Sequence, residues 1–135
     1  MKSSKFIKHI TVSDEDLDDL KHVNNVVFLT WVQDISRDHW FHLSDQAINE
    51  KYYWVVLNHF IEYKGQAKEG ELLEVETYVE KMQGVRSKRV VTFSKHGKLI
   101  VKAKTEWCLM DRKTNRPSRI PPEFDRMFMD EQEET

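Results

Sequence analysis

The run Asn24-Asn25-Val26-Val27-Phe28-Leu29-Thr30-Trp31-Val32-Gln33-Asp34-Ile35 constrains this chain more than any other segment. Phe28, Trp31, Val32 and Ile35 recur at i, i+3, i+4 and i+7, the stripe of a helix. Val26, Val27 and Leu29 fill the flanks, so the first two turns are apolar almost all round. A helix of that kind has to be covered on several sides. Val26 to Leu29 alone would also fit a buried strand. Length favours the helix, and so does the Asn pair ahead of it, because an Asn side-chain oxygen accepts an orphan backbone N–H. The pattern turns polar from Ser36, and the helix is expected to end near Leu43.

What could cover such a helix reads as strand. With 4 Gly and 3 Pro in 135 residues, the elements should be long. Phe6 to Val12 alternates and is expected as a first strand. Tyr52 to Tyr63 is rich in aromatic and β-branched residues and breaks at Gly65. Leu72 to Val79 alternates and breaks at Gly84; Val85 to Ser94 ends in Lys95-His96-Gly97-Lys98. Val101, Ala103, Thr105, Trp107 and Leu109 then alternate with Lys102, Lys104, Glu106 and Cys108, one face buried and one largely wet. The short polar turns between the last three strands make them antiparallel neighbours. Ser13 to Lys21 reads as an acidic loop and Asp111 to Arg119 as a charged one. Pro121-Pro122 opens a short helix, Glu123 to Met129. The order is strand, long helix, four long strands, short helix. The expectation is one α+β domain over residues 1–135, a mostly antiparallel sheet wrapped around one long helix, with 130–135 a fraying acidic tail.

Composition narrows the function. Lys plus Arg number 21 and Asp plus Glu 23, a net charge of −2. That lacks the basic excess of a nucleic-acid binder. Cys108 is the only cysteine, so an intrachain disulfide or a Cys-type zinc site is excluded. Asp14-Glu15-Asp16-Leu17-Asp18 lacks the Gly and Glu of a Ca²⁺ loop, and no metal or cofactor is expected. Nothing approaches a membrane span, and Met1-Lys2-Ser3-Ser4-Lys5 is not followed by the apolar run of a signal peptide. A cytoplasmic location is expected.

The loop ahead of the helix holds Asp14, Glu15, Asp16, Asp18, Asp19 and His22. Acidic residues there can serve simply by facing the positive end of the helix dipole, and His22 can be a plain loop residue. Chemistry is also possible. First-turn N–H groups near Asn25 lack intrahelical partners and can hold an oxyanion. A carboxylate such as Asp18 beside them could attack a carbonyl carbon or deprotonate a water that does. Thioesters suit this equipment, because a leaving thiolate, with a parent pKa of about 8.5, needs little acid help.

Asp16-Leu17-Asp18-Asp19-Leu20-Lys21-His22-Val23-Asn24-Asn25-Val26-Val27-Phe28 resembles the signature of hotdog-fold acyl thioesterases of the 4-hydroxybenzoyl-CoA thioesterase type, D-x-D-x-x-G-H-V-N-N-x-x-Y. It is also similar to the block of plant acyl-ACP thioesterases. Ile61-Glu62-Tyr63…Glu69-Gly70-Glu71-Leu72 and Asp111-Arg112-Lys113-Thr114-Asn115-Arg116-Pro117…Ile120-Pro121 resemble later family segments, in the same order. The resemblance implies a hotdog fold with a five-stranded sheet. It implies an acyl-CoA (or acyl-carrier-protein) thioesterase working as a homodimer or dimer of dimers, with interface active sites. Carried over by position, Asp18 is the catalytic carboxylate, His22 belongs to the catalytic group, and Asn25 supplies the N–H that polarises the thioester.

Asn24 is a helix cap and a candidate substrate contact. Arg86-Lys88-Arg89 forms a basic cluster that is either a solvated face or, through Arg89, a contact to coenzyme A phosphates. Asp34 reads as a structural or interface charge rather than a second catalytic carboxylate. There are departures from the signature. Lys21 replaces the Gly before His, Leu20 replaces the plant-type Asn, and Phe28 replaces the usual Tyr. The rival readings are a non-catalytic acyl-CoA-binding hotdog module and a hotdog hydratase or dehydratase.

Overall fold

The computed structural model describes residues 2–130. The elements run β1 (Lys2–Ser3), β2 (Phe6–Thr11), α1 (Asn25–Leu43), α2 (Gln46–Lys51), β3 (Tyr52–Tyr63), β4 (Leu72–Gln83), β5 (Arg86–Lys95), β6 (Lys98–Asp111), β7 (Arg116–Pro117), α3 (Glu123–Phe128) and β8 (Met129–Asp130). Five long strands form one antiparallel sheet in the order β2-β4-β5-β6-β3. Two-residue β7 adds to β6, and β1 pairs with β8. The sheet curls around α1 in the hotdog arrangement.

Period-two alternation explains the curl's inner face. Leu73, Val75, Thr77 and Val79 of β4 point inward, as do Val91 and Phe93 of β5 and Val101, Ala103 and Thr105 of β6; all are fully buried. Against them α1 lays Phe28, Val32, Ile35, Ser36, His39 and Trp40, the helical stripe continued to a fourth turn. Burying each large apolar side chain contributes about 1.5–3 kcal/mol. Two clusters result. One surrounds Phe28, Val32 and Phe93, with the Phe28 and Phe93 rings edge-to-face at 5.1 Å. The other packs Trp40 against Phe124 and Phe128 of α3, with Trp54 at its side.

The structure adds to or corrects the sequence reading at four places. Between Leu43 and Tyr52, where the sequence offered no element, Asp45 caps the short helix α2 by accepting the Ile48 N–H, a cap that the polar composition hid. The start of α1 is not covered on all sides within one chain, since Val26 is 67% exposed. Cys108 is buried despite its place on the wetter face of β6. Asp14–Asp16 of the acidic loop is a 3-10 turn, with Asp16 Oδ2 accepting from the Ser13 N–H and hydroxyl. Of the tail, Asp130 closes β8, and 131–135 lie outside the described residues.

β3 is an edge strand: along its 12 residues it pairs, among the described residues, only with β6. An unpaired edge of this length is a template for another strand.

Candidate active site

The loop before α1 is a small hairpin pinned from below. Leu17 and Val23 form an antiparallel bridge and pack into the first core cluster. The Val23 N–H donates to the Ala67 carbonyl at 2.9 Å, tying the loop to the β3–β4 connection. The Asn24 N–H donates to the Asp16 carbonyl at 2.9 Å. What projects beyond this base is the tip, Asp18 to His22.

Asp18 organises that tip. Its N–H donates to the His22 carbonyl at 2.8 Å, and its carbonyl accepts the Lys21 N–H at 3.0 Å. Its Oδ1 accepts the Leu20 N–H at 2.9 Å and the His22 N–H at 3.2 Å. Its Oδ2 has no partner among the described residues. Lys21, in the place of the signature's Gly, adopts φ +66°, a left-handed conformation that disfavours a β-carbon. The loop closes regardless, at a local cost of about 1–2 kcal/mol.

The first turn of α1 accounts for its own N–H groups almost completely. Asn24 caps the helix: its side chain accepts the Val26 N–H at 2.9 Å. The Asn24 carbonyl accepts from Val27 and Phe28. The Asn25 N–H alone in this turn has no acceptor among the described residues, and Asn25 is exposed. Asp18, His22, Asn24 and Asn25 thus share one end of α1, though no hydrogen bond links the His22 ring to Asp18. Asp34 is exposed on α1 and makes no ion pair among the described residues.

Arg89 lies elsewhere. The alternation of β5 turns Arg86 and Lys88 outward and Arg89 inward, where it is only 5% exposed. Its Nη1 donates to His39 Nδ1 at 2.9 Å and to Thr77 Oγ1 at 3.0 Å, and its guanidinium sits 5.8 Å from the centre of the Phe128 ring. Burial lowers the Arg89 pKa to about 9. Burial above all, with the fields of Arg89 and His42, lowers that of His39 to about 3. The Arg89–His39–Thr77 group was missed in the sequence. The signal was there: Ser87, Arg89, Val91 and Phe93 share one parity with the apolar face.

Residues 12–128 match the profile of the thioesterase-like superfamily. The chain belongs to the thioesterase-like superfamily. Among curated proteins, none matches the sequence. Solved structures of similar shape agree with the fold. A predicted thioesterase from Bacillus stearothermophilus has TM-score 0.83 and 20% identity, covering 93% of this chain and 94% of that one. A Staphylococcus aureus protein in complex with CoA has TM-score 0.82 and 20% identity, covering 94% and 83%. A 1,4-dihydroxy-2-naphthoyl-CoA thioesterase from Synechocystis has TM-score 0.78 and 16% identity, covering 92% and 95%. In this thioesterase-like chain no helix among the described residues is long and apolar enough to cross a membrane.

Proposed function

We propose that the chain is an acyl-CoA thioesterase whose catalytic carboxylate is Asp18. The observation that carries this reading is the pairing of two unspent groups at one end of α1: the Asp18 Oδ2 and the Asn25 N–H. The CoA complex and the naphthoyl-CoA thioesterase among the structures of similar shape support the substrate class. An acyl-carrier protein is the other carrier that presents the same thioester.

In this reading the thioester oxygen takes the Asn25 N–H, and the carbonyl carbon becomes more electrophilic. Asp18 accepts a proton from water as the water oxygen adds to that carbon. The tetrahedral intermediate collapses, the C–S bond breaks with its electron pair on sulfur, and the thiolate leaves and takes up a proton. Direct attack by Asp18, followed by hydrolysis of the anhydride, gives the same products. His22 positions Asp18 through its backbone N–H. Asn24 holds the helix start in place beside the substrate; Arg89, buried on β5 against His39 and Thr77, takes no part at this end of α1.

The working unit is a homodimer, able to double to a tetramer. The unpaired edge of β3 and the exposed Phe60 and Val26 support it, since edge strands and apolar side chains of this kind are normally covered. A buried free Cys108 fits the reducing cytoplasm. The test is free-thiol release from a panel of aliphatic and aromatic acyl-CoAs. Turnover of at least one class is expected. Tight acyl-CoA binding with no release from any of them would overturn the enzymatic reading.

A further inference from the structure

A cavity of about 230 Å³ lies beside the second half of α1, lined by residues of α1, α2, β3, β5, β6 and α3. Asn25 and Trp40 are fifteen positions apart on α1, so this cavity is about 20 Å along the helix from Asp18 in the same chain. Trp40, Trp54, Trp107 and Phe128 give it flat apolar walls. Arg37, Arg89 and Arg112 also line it, and among the described residues no Asp or Glu does.

Arg89 is the telling residue. A buried guanidinium is costly unless a charge or a full set of acceptors compensates it. Nη1 is spent on His39 and Thr77, both uncharged partners at neutral pH. Nε and Nη2 have no acceptor among the described residues. The indole Nε1–H of Trp107 is also buried without an acceptor. An arginine only donates, so His39 Nδ1 must accept, and the remaining proton of the neutral ring sits on Nε2. That Nε2–H and the Trp107 indole N–H are the two buried side-chain donors lacking a partner among the described residues. Among the described residues the region is rich in donors, poor in acceptors and short of one negative charge.

We propose that this cavity binds a carboxylate carried on a flat apolar body, such as an aromatic acid, with Arg89 as its charged anchor. The carboxylate supplies the missing charge and accepts from the Arg89 fork and the Trp107 indole. The aromatic walls take the apolar body. A phosphate of coenzyme A fits less well, because its solvated sugar would have to enter the space between the tryptophans. The proposal gives Arg89 a ligand class and does not depend on hydrolysis at Asp18.

The three tryptophans make their own reporter. Intrinsic fluorescence of the full-length wild type is titrated with 2-naphthoate, with 2-naphthamide and with coenzyme A. The acid is expected to quench and to bind about ten- to hundredfold more tightly than the amide, the ratio one or two charge-assisted hydrogen bonds provide. In Arg89→Met the preference for the acid should vanish, while Arg89→Lys keeps part of it. The comparison of acid with amide needs no variant, so a misfolded Arg89→Met leaves the test intact. Equal affinity for acid and amide, no saturable response to either, or displacement of the acid by coenzyme A alone would each overturn the proposal.

Discussion

Arg89 Nη1 reaches His39 Nδ1 at 2.9 Å across the interior, joining β5 to α1 with no carboxylate between them. His39 is 1% exposed, and its pKa is lowered to about 3 from an ordinary 6.5. The folded state therefore holds His39 neutral, while the unfolded chain protonates it below about pH 6.5. Stability from this residue is fully present above about pH 6.5 and is lost as pH falls toward about 3. The loss is on the order of 1 kcal/mol per pH unit. Urea unfolding at about pH 7.5 and about pH 5 measures it. The difference should shrink in His39→Gln, whose amide oxygen still accepts from Arg89. An unchanged difference there would assign the acid sensitivity to other groups.

The cap of α1 has its own signature. Asn24→Ala removes the acceptor of the Val26 N–H and should cost about 1 kcal/mol of stability. Asn24→Asp should retain most of it. Thermal unfolding of the two variants side by side checks the pair.

Lys21 carries strain that glycine would relieve. At φ +66° the substitution Lys21→Gly should raise stability by up to about 1 kcal/mol, net of the extra freedom glycine gains in the unfolded chain. A loss of stability would show that the lysine side chain makes a compensating contact.

Gly65 is held for space rather than for φ. A β-carbon there would stand 2.9 Å from Ile100 Cγ2. Gly65→Ala should cost about 1–3 kcal/mol by overpacking the β3–β4 connection against β6. Unchanged unfolding behaviour would mean that Ile100 turns aside freely.

The β3 edge predicts an assembly. Sedimentation should give twice the 16.2 kDa chain mass or four times it. A stable monomer at micromolar concentration would contradict the dimer.

The fold was legible because its signals were periodic. The stripe from Phe28 to Ile35 marked α1, and strict alternation along Val101 to Leu109 marked β6 and its inner face. The loop from Asp16 to Asn25 was legible as a motif and as dipole chemistry, and it does gather Asp18, His22, Asn24 and Asn25 at one helix end. Short elements were not legible. Gln46–Lys51 is too brief for periodicity, and only the Asp45 cap defines it. Arg89 was misplaced for a different reason. Charge clustering along the chain ignores parity, whereas a strand sends neighbours to opposite faces. The exposure of Val26 reflects the same limit, because an all-round apolar helix start says that something covers it, not whether the same chain does.

The proposed hydrolysis needs the carboxylate of Asp18 for chemistry beyond shaping its loop. Asp18→Asn separates the two roles, since its side-chain oxygen can still accept from the Leu20 and His22 N–H groups. Thiol release from the best acyl-CoA substrate, measured on folded Asp18→Asn beside wild type, should fall by about 10²–10⁴-fold with the unfolding temperature nearly unchanged. Release at the wild-type rate from Asp18→Asn would contradict the account.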